Sequence, residues 1–164
     1  MKKILYSIFL SFFLFSCNSG TQSNKAISTE AFEKNSKTMQ ALLKSYANEN
    51  VDYSRFSEDV VFKGTLFGSP DSLKLDQIKG MHKEFFAKYD VKHMAPFNFL
   101  QGVNSETGEA DSSVRFYYDM QVTNSSNGKS VVIPIYESFD FNNEGEAIYV
   151  QWYCDWSTSM ASLD

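Results

Sequence analysis

The spacing of hydrophobic residues changes along the chain and divides it into a helical first part and a strand-rich second part. In residues 30–47, apolar side chains recur at three- and four-residue steps, which predicts an amphipathic helix capped by Ser28 or Thr29. The same period predicts a second helix over residues 73–89. Between the two helices, residues 59–67 are rich in β-branched and aromatic side chains, which favours a strand.

From residue 93 onward the pattern alternates with a period of two, which predicts strands joined by tight turns. Strands are predicted over residues 93–103 and 112–123, and a loop containing Asn127-Gly128 leads into a final hairpin. That hairpin covers residues 130–156 and turns at residues 142–145. The order predicts an α+β fold in which the helices come first and pack against a curved antiparallel sheet.

Strict alternation places one carboxylate, Glu137, among apolar side chains in this hairpin. One face of its first strand carries Ile133, Ile135, Glu137, Phe139 and Phe141. The matching face of its second strand carries Ile148, Val150, Trp152, Cys154 and Trp156. Glu137 is therefore either a pocket acid with a raised pKa or a structural acid satisfied by a tyrosine hydroxyl, the backbone or Arg115.

The first sixteen residues have a different character. Two lysines precede an apolar run, residues 4–15, which is too short to span a bilayer and is typical of a signal peptide. Residues 14–17 then resemble a bacterial lipobox, which implies that Cys17 is acylated, with palmitate among its chains, and becomes the mature N-terminus. The alternative is an ordinary secretory signal followed by a coincidental cysteine.

The domain organisation follows from these patterns. Residues 1–16 are the predicted lipoprotein signal peptide, and residues 17–29, rich in Ser, Asn, Thr and Gln, are a flexible tether. Residues 30–164 are the folded domain. Because each acyl methylene buried in lipid contributes about 0.8 kcal/mol, the lipid would hold the protein permanently. The expected location is the bacterial cell envelope, with the protein lipid-anchored to a membrane and facing the periplasm.

Composition narrows the possible partners. The chain has 164 residues, 43% hydrophobic and 16% aromatic, which suffices for a sizeable core. Without the two lysines of the signal peptide, 13 basic residues face 20 acidic ones, a formal charge of −7 that argues against nucleic acid as a partner. No Gly-rich phosphate loop and no clustered metal-ligand spacing occurs in the sequence, so neither a cofactor nor a metal is predicted.

Cysteine usage predicts no disulfide. The chain has two cysteines, and if Cys17 carries lipid, Cys154 has no partner left. Thiol nucleophilic chemistry needs an oxyanion device and an orienting residue, and neither is recognisable in the sequence. Cys154 is therefore expected to be a small buried hydrophobe.

The order of the predicted elements resembles the nuclear transport factor 2-like superfamily, and within it the SnoaL-like branch. The resemblance covers residues 30–156, and its carriers are the polar turn at residues 48–50, the strand opening at residues 59–62, and the Phe139-x-Phe141 motif before a turn. It implies a cone-shaped α+β fold with helices packed in a strongly curved antiparallel sheet and a pocket at the open end. The superfamily includes isomerases, dehydratases, cyclases and binding proteins.

The resemblance also implies a position for one acid. Catalysts such as ketosteroid isomerase place a buried acid shortly before the F-x-F motif, and Glu137 lies at that offset. Their base would fall near Lys63 or Gly64, and their helix tyrosine near Leu42 or Leu43, none of which has the matching chemistry. Steroid-type proton shuttling by that residue set is therefore not supported.

Residues on the inward faces define a candidate pocket. Glu137 and His82 are the candidate catalytic acid/base pair, with a position for His82 at the pocket rim as the alternative. The expected pocket wall consists of four aromatic residues and one cysteine: Phe85, Tyr89, Trp152, Cys154 and Trp156. The two tryptophans are core or wall residues first, with ligand stacking as a further role.

The opposite faces of the last strands carry an unusual number of tyrosines together with Arg115, residue types that are enriched at interfaces. The superfamily commonly dimerises through this surface, so we expect a homodimer, with a tyrosine-rich solvent face as the alternative.

Three functional hypotheses remain. The first is a membrane-tethered module that binds a small hydrophobic molecule in an apolar, aromatic pocket. The second is a cofactor-independent lyase or isomerase that uses Glu137 as acid/base. The third is a dimeric interaction protein whose cone is filled by its own side chains. The first two differ in whether several ionisable groups converge on one point of the pocket, and the third would have no cavity.

Overall fold

The computed structural model describes the backbone of residues 19–164 and the side chains of residues 29–164. Its helices are α1 Ser19–Ala47, α2 Leu75–Phe86 and α3 Trp156–Ala161, with a short 3-10 helix, Tyr53–Arg55, after α1. Its strands are β1 Phe56–Lys63, β2 Tyr89–Val103, β3 Ala110–Asn124, β4 Ser130–Phe141 and β5 Ala147–Tyr153. The predicted signal peptide and Cys17 lie outside the described residues.

The strands form one curved sheet in the order β1-β5-β4-β3-β2, with the helices packed against it. The neighbouring pairs from β5 to β2 are antiparallel, whereas β1 lies parallel to β5. The α+β prediction is therefore confirmed. The parallel edge pair was not predicted, because a hydrophobic pattern indicates which side chains lie inward but not the direction in which strands pair.

The core lies between α1 and the inner face of β3 and β4. Met39 and Leu43 of α1 are buried against this face, and Phe116 of β3 is completely buried at its centre. Burying a side chain of that size stabilises the fold by about 2–3 kcal/mol. The side-chain amide of Asn35 donates a 2.9 Å hydrogen bond to the carbonyl of Ser112, which fixes α1 against the start of β3.

Helix α1 begins earlier than the sequence pattern indicated. It starts at Ser19 rather than near residue 30, so neither Ser28 nor Thr29 is its N-cap, and it runs through residues assigned to the tether. That segment contains no proline, and Gly20 is its only glycine, so no residue in it ends the helical hydrogen bonding. None of the described helices is long and apolar enough to cross a membrane.

The last strand differs from the prediction at both ends. Phe141 pairs with Ala147 while Asp140 pairs with Tyr149, so Ile148 is an extra residue at a bulge, and its side chain is exposed instead of inward. Strand β5 ends at Tyr153, and Trp156 begins α3 because the Asp155 side chain caps that helix. Alternation alone detects neither a bulge nor a cap.

The second predicted helix is also shorter than expected. Helix α2 ends at Phe86, and Tyr89 opens β2 instead of closing the helix. From Tyr89 the inward positions continue with Val91 and His93, which brings His93 to the same interior as α2.

Candidate functional site

A cavity of about 590 Å³ opens between α1, α2 and the inner face of the sheet. This volume lies in the range typical of pockets for small ligands. The cone is therefore not filled by its own side chains, contrary to the third hypothesis. Most of the lining is apolar, and Glu84 and Lys88 line it from exposed positions. The polar lining residues that are not exposed are Tyr46, Ser69, His82, Tyr89, His93, Tyr118 and Glu137.

Glu137 lies inward on β4, as alternation predicted. It pairs with Phe116 on one neighbouring strand and with Trp152 on the other. Burial raises the pKa of Glu137 to about 7, while a 3.3 Å hydrogen bond from the Tyr118 hydroxyl to Oε1 acts in the opposite direction. Oε2 makes no hydrogen bond with the described residues and remains accessible from the cavity. The carboxyl group can therefore still bind or protonate a ligand.

Two tyrosines share this polar end of the cavity. Burial raises the pKa of Tyr118 well above its usual value, and the charge of a nearby ionised Glu137 raises it further. The pKa of Tyr46 is raised by the same two causes in the same order. Both hydroxyls therefore keep their protons and act as hydrogen-bond donors. The hydroxyl of Tyr46 has no partner among the described residues and is accessible from the cavity.

His82 lines the cavity from α2. Its Nδ1 lies 2.9 Å from the hydroxyl of Tyr53, and its ring meets the ring of Tyr46 edge-on at 5.1 Å. Burial lowers the pKa of His82 to about 4, so the imidazole is neutral at pH 7.

His93 is a cavity residue that sequence reasoning did not assign. Its ring stacks on Tyr46 at 5.6 Å and meets Tyr118 edge-on at 5.1 Å. Burial lowers its pKa to about 4, and the backbone of Leu43 partly opposes this shift. Both ring nitrogens are enclosed, and neither makes a hydrogen bond of ordinary geometry within residues 29–164. The alternation of inward residues along β2 is the signal that could have identified it.

Glu137 and His82 line one cavity but do not form a direct pair. No hydrogen bond or ion pair joins them among the residues with described side chains. Tyr46 connects the two regions, because its ring contacts His82 and its hydroxyl is electrostatically coupled to Glu137. The site therefore has two polar positions joined by a tyrosine rather than a compact acid/base dyad.

The predicted wall residues fall into two groups. Phe85, Tyr89, Trp152 and Trp156 line the cavity, and Phe85 packs on Trp156 at 5.5 Å. Cys154 is not one of the lining residues; it follows the end of β5 and packs against the core. Burial raises the pKa of its thiol to about 11, so the side chain is neutral at pH 7, in keeping with the interpretation as a small hydrophobe.

No group of three or more His, Cys, Asp or Glu side chains in the described part of the chain is arranged to hold a metal ion. On the outer face of the sheet, Arg115 pairs with Asp140 at 3.0 Å and not with Glu137. Tyr117, Tyr136 and Tyr153 are exposed on this outer face, where the homodimer is predicted.

Comparison with known proteins identifies the fold through solved structures but finds no match by sequence. No family model matches the chain. No curated protein sequence matches it either. Solved structures do match, each over most of its own length.

One is a candidate polyketide cyclase from Xanthomonas campestris, with 17% identity and a TM-score of 0.63 over 82% of this chain and 99% of that one. Another is a candidate isomerase from Bacillus subtilis, with 14% identity and a TM-score of 0.65 over 82% and 99%. A third, from Catenulispora acidiphila, has a ketosteroid isomerase-like fold and a trimethylamine ligand, with 14% identity and a TM-score of 0.56 over 76% and 90%. The chain therefore has the cone-shaped nuclear transport factor 2-like fold that the sequence resemblance implied.

Proposed function

We propose that this domain binds a small, mostly apolar molecule whose polar group lies against Glu137. The observation that carries the proposal is a single buried carboxyl group, with one oxygen still free, at the polar end of an apolar cavity of about 590 Å³. A pocket of this kind uses apolar area for affinity and a few placed polar groups for orientation.

The polar end favours a ligand with an oxygen function. Below about pH 7 the Glu137 carboxyl is protonated and both donates and accepts hydrogen bonds, and the free hydroxyl of Tyr46 adds a donor. Because these groups are shielded from water, a ligand that bonds to them gains more than it would at the surface. A pure hydrocarbon would leave them unsatisfied and should bind more weakly.

The test uses three probes of similar shape: naphthalene, 2-naphthol and 2-acetonaphthone. We expect each oxygenated probe to bind about three- to tenfold more tightly than naphthalene, the value of one or two buried hydrogen bonds. Glu137→Leu should remove this preference, whereas Asp140→Leu, on the outer face of the same strand, should preserve it. Equal affinity of the wild type for all three probes would contradict the proposal.

A second candidate is a cofactor-independent lyase or isomerase that uses Glu137 as acid/base. The observation that favours it is the pKa of about 7, close to the optimum for proton transfer at neutral pH. Two of the solved structures with the same fold are those of a candidate polyketide cyclase and a candidate isomerase. Glu137→Gln separates the two functions, because Gln retains a hydrogen bond to a bound ligand but transfers no proton, so turnover would be lost while binding persists.

We also propose that the domain is tethered to a membrane of the cell envelope through lipid on Cys17 and faces the periplasm. The supporting observation is the order of charged start, apolar run and cysteine in residues 1–17. Cys17→Ser should abolish lipid labelling and shift the protein from the membrane fraction to the soluble fraction or to an uncleaved precursor. A Cys17→Ser variant that remains lipid-labelled would overturn the tether, and Cys154→Ser is the matched control.

A further inference from the structure

The contact between Tyr53 and His82 lies at the wall of the cavity, next to the ring of Tyr46. Tyr53 belongs to the 3-10 helix and His82 to α2, so the contact joins two elements that are separate in sequence. The hydroxyl of Tyr53 lies 2.9 Å from Nδ1, and the two rings stack at 5.9 Å with an interplanar angle of 21°. Tyr53 thus contacts one face of the imidazole and its Nδ1, while the other nitrogen, Nε2, makes no hydrogen bond with the described residues.

The direction of this hydrogen bond decides the chemistry of Nε2. A tyrosine hydroxyl can donate or accept, and a neutral imidazole has one nitrogen of each kind. The hydroxyl of Tyr53 makes no other hydrogen bond within residues 29–164, so Nδ1 is the one acceptor that this part of the protein offers its hydrogen.

We propose that Tyr53 donates its hydrogen to Nδ1 of His82 and thereby fixes the tautomer that carries the proton on Nε2. His82 is then a hydrogen-bond donor on the wall of the cavity, and Tyr53 is its positioning residue. Nε2 makes no hydrogen bond with the described residues and is not enclosed, unlike the nitrogens of His93.

This assignment specifies the ligand further. The neutral ring of His82 itself offers a donor and no charge, so the matching ligand group is an acceptor oxygen, such as a carbonyl or an ether. Together with Glu137, the ligand would be a compact apolar molecule with oxygen functions at two positions, one near Glu137 and one near His82. This ligand class rests on the proposed function, whereas the tautomer of His82 does not.

The test of the tautomer is nitrogen-15 NMR of the two histidines in the ligand-free protein at pH 7. In the wild type we expect Nδ1 of His82 at the shift of a bare nitrogen and Nε2 at the shift of a protonated one. Tyr53→Phe keeps the ring stack but removes the donor, so the two shifts should move towards the averaged values of an exchanging imidazole. Tyr46→Phe is the matched control, because Tyr46 contacts His82 through its ring and not its hydroxyl.

The pKa of His82 gives a second readout that a merely structural role would not predict. A bond donated by Tyr53 to Nδ1 stabilises only the neutral ring, so its loss in Tyr53→Phe should raise the pKa of His82. A bond donated by His82 to Tyr53 would stabilise the charged ring more, so its loss should lower the pKa. A fall in the pKa, or a wild-type proton on Nδ1, would overturn the proposal, and the His93 signals serve as an internal reference.

The ligand class is tested separately with 2-acetonaphthone and naphthalene. Tyr53→Phe should reduce the preference for the ketone by about three- to tenfold, the value of one lost hydrogen bond. If the tautomer is as expected but the ketone preference does not change, the positioning role is retained and the acceptor-oxygen ligand is overturned. If neither probe binds even the wild type, the proposed function fails while the NMR result stands.

Discussion

Strand β4 carries two carboxyl groups three residues apart, one on each face, and the two have different surroundings. Glu137 faces the cavity, where burial raises its pKa to about 7 and the Tyr118 hydroxyl donates a hydrogen bond to it. Asp140 faces outward and makes an ion pair of 3.0 Å with Arg115, with both side chains partly in water. Both side chains end in a carboxyl group, so the difference between them comes from their exposure to solvent and from the groups that they contact.

The contrast between these surroundings explains why only one of the two acids is available for function. An ion pair inside the cone would require two charges to lose their water, which is rarely repaid by their attraction. A neutral acid beside a hydroxyl donor avoids that cost and keeps one oxygen free. The outer acid, in contrast, is already engaged by Arg115. Substitutions on the two faces should therefore differ in effect. The largest effect is expected where a charge is buried, and the smallest where a surface ion pair is lost.

The largest difference is expected between two variants in which lysine replaces one or the other of two adjacent residues of β4. Ile133 is completely buried on the inner face, whereas the side chain of Val132 is about half exposed on the outer face. Ile133→Lys buries an unpaired charge and should reduce the free energy of unfolding by about 4 kcal/mol or more. Val132→Lys should change it by no more than about 0.5 kcal/mol. Urea denaturation of both variants measures the contrast, and similar losses would mean that the two faces do not differ in burial.

The second prediction concerns the pH dependence of stability through Glu137. The ordinary pKa of this carboxyl is 4.5, and in the folded protein the pKa is about 7, so the native state binds more protons between these values. Stability from this group is therefore complete below pH 4.5 and is lost as the pH rises through 7, by about 3 kcal/mol in all. Glu137→Gln does not ionise and should escape this loss.

Melting curves of wild type and Glu137→Gln between about pH 4 and pH 9 measure this difference. The two proteins should be similar near the acid end of this range, and the variant should be more stable at the alkaline end. Asp140→Asn is the matched control on the outer face. A Gln variant that is less stable at neutral pH would show that the Glu137 carboxylate is ionised and paired, and the pocket-acid interpretation would then be dropped.

Alternation along the sequence was enough to place Glu137 inward and Trp152 across the hairpin from it, and both positions are confirmed by the register of β4 and β5. It was enough because one face of the hairpin is buried, and a shift of one residue would expose the whole apolar set. The same logic failed at Ile148, where a bulge changes the face.

The partners of Glu137 could not be predicted in the same way. Tyr46 comes from α1 and Tyr118 from β3, and their contacts with the inner face depend on how the helix crosses the sheet. His93 reaches the cavity because β2 begins as soon as α2 ends. Contacts of this kind depend on tertiary packing, whereas local period and turn chemistry determine only which residues face inward.

The third prediction tests whether the outer face is an interface. Tyr136 is exposed on β4, and its ring lies 6.2 Å from that of Tyr153 on β5. If two copies meet through this surface, Tyr136→Arg brings like charges together across the two-fold axis and should weaken association more than about tenfold. Light scattering and sedimentation of the lipid-free domain measure it, with Tyr136→Phe as control. A wild type that is monomeric at high micromolar concentration would contradict the expected homodimer.

The smallest effect is expected for the outer ion pair itself. Arg115 and Asp140 are 25% and 44% exposed, and exposed pairs of this kind contribute no more than about 1 kcal/mol. Asp140→Asn should therefore lower the free energy of unfolding by that amount or less, and the difference should shrink as salt is raised because water and ions screen the pair. A double-mutant cycle with Arg115→Gln isolates the interaction from the loss of either side chain alone. A coupling of about 2 kcal/mol or more, independent of salt, would mean that this pair is desolvated and that the outer face, like the inner one, is covered by another surface.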